Sequence, residues 1–172
     1  MLDDPFKYGL LAALAIALLV AAFTDFRSRQ IYNWLNAAIA LSAPLFWWAS
    51  DFSLLPAGSS LFDPPSVIIQ LAVALATFVV LAALFAVRAM GGGDVKLLTA
   101  LALWIEPLLF LKLLIAMALI GGVLALAFGA WRIARRQRDK MTVPYGVAIA
   151  LAGLWAISTG YLMQPERYVG LG

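Results

Sequence analysis

The stretch VIIQLAVALATFVVLAALFAVRAMGGGDVKLL, from Val67 to Leu98, decides what kind of fold this chain can adopt. Its first part, Val67 to Val87, carries no charge and is long enough, as a helix, to cross a hydrocarbon layer roughly 30 Å thick. Gly91-Gly92-Gly93-Asp94 follows within a few residues, and a second apolar run begins at Val95. An ionisable side chain between two such runs is costly to hold at membrane depth, so it marks a pathway or a reaction. The glycines remove side-chain bulk, which lets another backbone approach and lets the chain break its helix just before the acid. A second acid, Asp25, stands at the far end of the first apolar run.

Apolar runs recur along the chain, five of spanning length and a shorter fourth after the glycine loop. They cover about Tyr8 to Thr24, Ile31 to Trp48, Val67 to Val87, Val95 to Ile105, Leu108 to Ala130 and Val143 to Met163. The second ends in Phe46-Trp47-Trp48, the aromatic band expected at a membrane interface, and the tryptophans as a group are expected to be mostly interface anchors. A Pro/Gly/Ser-rich loop from Ala49 to Ser66 separates the second and third runs. Glu106-Pro107 reads as a tight turn or a kink, and Gly121-Gly122 as a place where a neighbouring helix packs closely. The expected fold is all-α and polytopic, with about six transmembrane helices.

Composition agrees. Hydrophobic residues make up 65% of the 172 and charged residues 12%, about half the charge of an ordinary soluble domain. The chain has no cysteine and no histidine. That excludes disulfides, thiolate nucleophiles, zinc–sulfur sites, the HExxH zinc helix, and Ser-His or Cys-His catalysis. The start, Met1-Leu2-Asp3-Asp4-Pro5, is acidic, and the positive charges come after the first run, unlike a secretory signal.

Charge orients the bundle. With the amino terminus outside, the inside segments hold Arg27, Arg29, Arg88, Lys96, Arg132, Arg135, Arg136, Arg138 and Lys140, leaving Lys7, Lys112 and Arg167 outside. Most acids then fall outside, at Asp3, Asp4, Asp51, Asp63, Glu106 and Glu166. This is a positive-inside pattern, and both termini are expected outside. Asp25 and Asp94 then lie at the same, cytoplasmic end of the bundle.

Two close carboxylates cannot both ionise cheaply, so one holds a proton while the other stays charged. That arrangement suits peptide hydrolysis: one member takes a proton from water and the other polarises the scissile carbonyl. A Ser-Lys dyad would need a lysine at matching depth, but Lys112 falls outside and Lys96 belongs to the Asp94 loop. Two acids without further ligands also make a poor cation cage, so no metal and no cofactor are expected.

Three motifs carry a resemblance. Met90-Gly91-Gly92-Gly93-Asp94-Val95-Lys96-Leu97 is similar to the GxGD signature of the type IV prepilin peptidases. Asp25-Phe26-Arg27-Ser28-Arg29-Gln30-Ile31-Tyr32-Asn33 resembles that family's D-x-R-x-R-x-I-x-N segment, and Val143-Pro144-Tyr145-Gly146-Val147-Ala148-Ile149-Ala150 its P-Y-G-x-A-I-A segment. The order is right and the likeness covers essentially the whole chain. It implies a single membrane-embedded peptidase domain over residues 1–172, an aspartyl endopeptidase of the bacterial inner membrane. Such an enzyme cuts the leader from prepilin-like substrates on the cytoplasmic side, alongside pilus secretion machinery.

The catalytic pair would be Asp25 and Asp94. The surrounding substrate and active-site segments would hold Gly91, Gly92, Gly93, Lys96, Arg27, Arg29, Asn33, Pro144, Tyr145 and Gly146. The longer members' cysteine-bearing methyltransferase insertion is missing, so that activity is not implied. The short form resembles the tight-adherence, or Flp, pilus peptidases.

Plainer readings exist for each feature. Asp25 at a helix end could pair with Arg27 or Arg29, and Asp94 could cap a helix N-terminus. Asn33 could serve the acids or make an ordinary interhelical hydrogen bond. Arg27, Arg29 and the later basic cluster suit lipid headgroups and topology. Two other functions fit a hydrophobic chain: a proton-coupled transporter or channel using Asp25 and Asp94 as a relay, and a non-enzymatic pilus-assembly scaffold. The first predicts acids strung across the membrane depth, and the second leaves the glycine-acid loop without a purpose.

Overall fold

A computed structural model describes residues 5–55, 66–135 and 145–163, without the side chains of residues 132–135. Among these residues six α-helices follow one another: α1 (Pro5–Ser28), α2 (Asn33–Ala49), α3 (Val67–Ala86), α4 (Gly92–Trp104), α5 (Pro107–Arg135) and α6 (Tyr145–Ile157). The last runs on into a π-helical segment, Ser158–Leu162. Among the described residues the β structure amounts to one isolated bridge between Ser53 and Ser66. Asp63, Pro144, the basic residues Arg136, Arg138 and Lys140, and both chain ends lie outside the described residues.

The helical runs match the six expected from the sequence, but among the described residues only four have the length and composition to cross a bilayer: Pro5–Ser28, Val67–Ala86, Pro107–Trp131 and Tyr145–Leu162. α2 has 17 residues and α4 has 13. At about 1.5 Å per residue α4 rises only about 20 Å, well short of the hydrocarbon core. It survives as a short helix because it is interior, packed against α2, α3, α5 and α6, with eight of its residues buried. Around it the bundle is clad in apolar side chains, with Leu41 78%, Leu126 75% and Leu75 64% exposed. That surface suits lipid and would be untenable in water.

The end of α4 shows why it can stop inside the protein. Every helix leaves its last carbonyls without an intrahelical partner, and in lipid an orphaned carbonyl is expensive. Here side chains from three other elements supply the donors. Gln70 of α3 donates to the carbonyls of Ala102 and Ile105 at 2.7 and 2.6 Å. Trp47 of α2 donates to Leu103 O at 2.7 Å, and the Tyr161 hydroxyl donates to Trp104 O at 3.1 Å. Trp104 in turn donates its indole N–H to Ile39 O at 2.7 Å and stacks on Phe46 with centroids 5.0 Å apart. Trp104 is 2% exposed and Trp47 partly buried, and both serve as clamps between helices rather than interface anchors, because each indole N–H donates to a carbonyl of a neighbouring helix.

Glu106-Pro107 is a tight turn. α4 ends at Trp104 and α5 begins at Pro107, where a missing N–H costs nothing. Gln70→Leu should loosen this clamp, leaving two buried carbonyls unpartnered at a cost of about 1–3 kcal/mol. Thermal unfolding of the variant in detergent should show a lowered midpoint, and an unchanged midpoint would refute the clamp.

α1 and α6 run antiparallel in close contact, which their small residues allow. A Cβ at Gly153 would stand 2.8 Å from Leu18 Cδ1, and one at Gly146 would stand 2.8 Å from Asp25 Cβ. The two contacts are seven residues apart on each helix. Close approach of small residues is how helices associate where lipid removes the hydrophobic drive. Gly121 behaves as expected, lying against Tyr145 and Ala148 of α6, whereas Gly122 faces open space.

Candidate active site

Four helix ends meet at one end of the bundle: the end of α1 and the starts of α2, α4 and α6. Asp25 sits in the last turn of α1, inside the helix rather than beyond it. Between α1 and α2, Arg29 takes a left-handed backbone conformation with φ of 52°. Its N–H donates to the Asp25 carbonyl at 2.8 Å, closing the helix in the manner usually served by glycine. α3 ends the same way, with Arg88 at φ of 61° and hydrogen bonds from Arg88 N to Phe85 O and from Ala89 N to Leu84 O, each 2.9 Å. Both turns deliver the chain sharply into the segments that carry the site.

Asp94 is the third residue of α4, and the residue before that helix is Gly91. Its carboxylate reaches back to accept the Gly91 N–H, which is the acidic half of a capping box. Asp94 therefore caps α4 from inside the helix, not from the position before it. The three glycines are needed for space rather than for unusual backbone angles, since none has a positive φ. A Cβ would stand 2.9 Å from Asp94 Oδ2 at Gly91, 3.3 Å from the Phe85 ring at Gly92, and 3.3 Å from Ile31 Cβ at Gly93.

Asp25 is held from the other side. Its Oδ2 accepts the N–H of Gly146 at 2.8 Å, and the carboxylate also accepts the N–H of Val147. An acid on α1 thus satisfies the free N–H groups at the start of α6, where a negative charge is also favoured by the helix dipole. Asp25 and Asp94 are 8% and 9% exposed. Both line one cavity of about 350 Å³, together with residues 29–33 and 91–93, and they lie within charge–charge range of each other. The size is at the low end for a ligand pocket and suits a short stretch of extended peptide. Two carboxylates facing one water-accessible hollow can activate water and polarise a carbonyl.

The remaining residues singled out from sequence separate into groups. Asn33 lines the cavity and accepts from Lys96 Nζ at 2.8 Å, tying α2 to α4. Lys96 itself is exposed and outside the lining, as is Arg27. Tyr145 turns towards Gly121 of α5 rather than into the cavity.

Asn36 was not legible from sequence. It is buried, its Nδ2 donates to Gly93 O at 3.5 Å, and its Oδ1 has no partner among the described residues. The one signal pointing to it is its spacing: three residues after Asn33, it shares the face of α2 that meets the glycine loop.

The model of one protein family, described as the type IV leader peptidase family, matches residues 12–129. The matched stretch holds Asp25 and Asp94 and stops before α6. No curated protein and no solved structure matches the chain.

Proposed function

Because the chain belongs to the type IV leader peptidase family, we propose that it is an aspartyl endopeptidase that removes the leader from prepilin-like substrates, with Asp25 and Asp94 as the catalytic pair. The observation that carries this reading is the single cavity shared by two buried carboxylates from distant parts of the chain. The residue inventory supports it, since histidine and cysteine are absent from the sequence.

In the proposed reaction one carboxylate takes a proton from water as the oxygen attacks the scissile carbonyl. The other, protonated, donates a hydrogen bond to the carbonyl oxygen as it becomes tetrahedral. Collapse breaks the C–N bond, the amine leaves with a proton, and the leader keeps a carboxylate end. Asp94, at the start of α4, and Asp25, braced by α6, come from rigid elements that hold such a geometry.

Topology and location are part of the proposal. Arg27, Arg29, Arg88 and Lys96 cluster at the cavity end of the bundle, and Asp51 and Glu106 belong to the opposite end. The positive-inside pattern then turns the cavity to the cytoplasm of a bacterial inner membrane and both termini outward, with α2 and α4 completing six embedded helices. Neither a cysteine nor a methyltransferase-sized insertion is present, which favours the short, tight-adherence type acting beside pilus secretion machinery.

The test is incubation of the purified protein, in liposomes, with a prepilin-like substrate, followed by mass measurement of the product's new amino terminus. One defined cut is expected, and an intact substrate across a panel of such proteins would sink the reading. Gly91→Ala should report on the same site, because the new methyl would displace Asp94 Oδ2 from 2.9 Å. The clash is with the tip of a side chain, so folding should survive. Cleavage should fall by roughly 10²-fold, the scale of a 1 Å misplacement, mostly in kcat.

A further inference from the structure

Two buried amide side chains face α4, and they are matched to it very differently. Gln70 makes two short bonds to carbonyls at the end of that helix, at 2.7 and 2.6 Å. Asn36 is 5% exposed, yet its Nδ2 reaches Gly93 O only at 3.5 Å and its Oδ1 has no partner among the described residues. Gly93 O can only accept, which fixes the amide nitrogen as the atom that faces it. A buried polar group so poorly matched weakens a fold rather than supporting it. A leucine has the same branched outline and leaves no polar atom bare. The amide calls for a reason other than stability.

Its position supplies one. α1 and α4, which carry the two acids, meet chiefly through their shared neighbours α2 and α6. α6 holds Asp25 directly, through the N–H groups of Gly146 and Val147. The Asp94 carboxylate accepts the Gly91 N–H, a bond that fixes the acid at the start of its own helix but not against α1. That tie comes from α2. Asn33 Oδ1 accepts from Lys96 Nζ at 2.8 Å, and Asn36, one turn further along the same face, reaches Gly93 O. The two amides bracket Asp94. The Lys96 contact is exposed and hangs on a long side chain, whereas Asn36 joins a short, buried side chain to backbone beside the acid. We propose that Asn36 is a positioning residue, whose amide ties the first turn of α4 to α2 and so holds Asp94 in its working place opposite Asp25. This rests on the peptidase reading above and adds to it a residue that acts through Asp94 without meeting the peptide, since Asn36 is outside the cavity lining.

The experiment compares the native full chain with Asn36→Leu and Asn36→Gln in one detergent, by kinetics on a prepilin-like substrate and by thermal unfolding. Asn36→Leu removes the bare acceptor together with the tie. Its unfolding midpoint should equal the native one or exceed it by a few degrees, the opposite of Gln70→Leu. Its kcat should nevertheless fall by about 10-fold or more, towards the roughly 10²-fold of a 1 Å misplacement, with KM unchanged. Asn36→Gln keeps a donor on a longer arm and should recover part of the lost kcat, although its extra methylene crowds the helices and lowers the midpoint. Activity should follow the amide, and stability should run against it.

A leucine variant with native kcat would overturn the proposal. So would one that melts lower than the native protein or fails to fold, since Asn36 would then be a structural bond of the Gln70 kind. A loss confined to KM, or a glutamine variant no more active than the leucine one, would overturn it as well. A native protein that leaves prepilin-like substrates intact fails the peptidase reading itself. Every other outcome named here is read against an active native protein, which keeps the two failures apart.

Discussion

Asp94→Asn is expected to abolish leader cleavage and leave the bundle folded, and Asp25→Asn is expected to do the same. The folding half of this expectation comes from the hydrogen bonds. Asp94 accepts the Gly91 N–H, and Asp25 accepts the N–H groups of Gly146 and Val147. An asparagine carbonyl oxygen accepts the same bonds, so neither α4 nor α6 loses its cap. The activity half comes from the proposed chemistry, because an amide neither takes a proton from water nor supplies one to the carbonyl. Removing a positioned acid or base costs roughly 10²–10⁴-fold.

Residues acting as one unit are not additive, so the double variant should be about as inactive as either single one. Cleavage of a prepilin-like substrate in liposomes, with thermal unfolding of each variant alongside, makes the measurement. Either single variant cutting at near-native rate would end the two-acid mechanism.

Gly146→Ala should be nearly as damaging, by a different route. The added methyl would stand 2.8 Å from Asp25 Cβ, Cγ and Oδ2 alike. A side-chain tip can swing away from such a contact, but a Cβ moves only with its backbone, so α1 and α6 must part. Overpacking of this kind costs about 1–3 kcal/mol, and displacing the carboxylate should cost roughly a further 10²-fold in kcat.

Two controls separate packing from chemistry. Gly153→Ala lies on the same pair of helices but would meet only the end of Leu18 at 2.8 Å. It should lower stability with a much smaller effect on cleavage. Gly122→Ala meets nothing within 4 Å and should be silent. A Gly146→Ala protein with native kcat would show that the contact with α6 does not position Asp25.

Much of this molecule is visible in its sequence, and the parts that are not share a cause. Long uncharged runs such as Val67 to Val87 announce helices because, in lipid, a backbone must satisfy its own hydrogen bonds. The glycine triplet before Asp94 announces crowding, and the structure meets it with Phe85, Ile31 and the Asp94 carboxylate itself. Six spanning helices were too many by length, since among the described residues both α2 and α4 fall short of a span, α4 by the most. The shortness of α4 is tolerated through Gln70, Trp47 and Tyr161, donors more than thirty residues away in the chain. Tyr145 reads as part of a site motif and packs on α5, while Asn36, with no motif, reaches the glycine loop.

Helical class, membrane residence and the two candidate acids were determined by composition, run length and local motif, since these follow from solvent and backbone chemistry alone. Only the tertiary structure brought Asp25 and Asp94 into one cavity, braced Asp25 against the start of α6, set Arg29 rather than Arg27 in the lining, and capped the buried end of α4. Those outcomes depend on which helix faces meet. Side chains far apart in the chain decide that together, through close packing and the demand that every buried polar group find a partner.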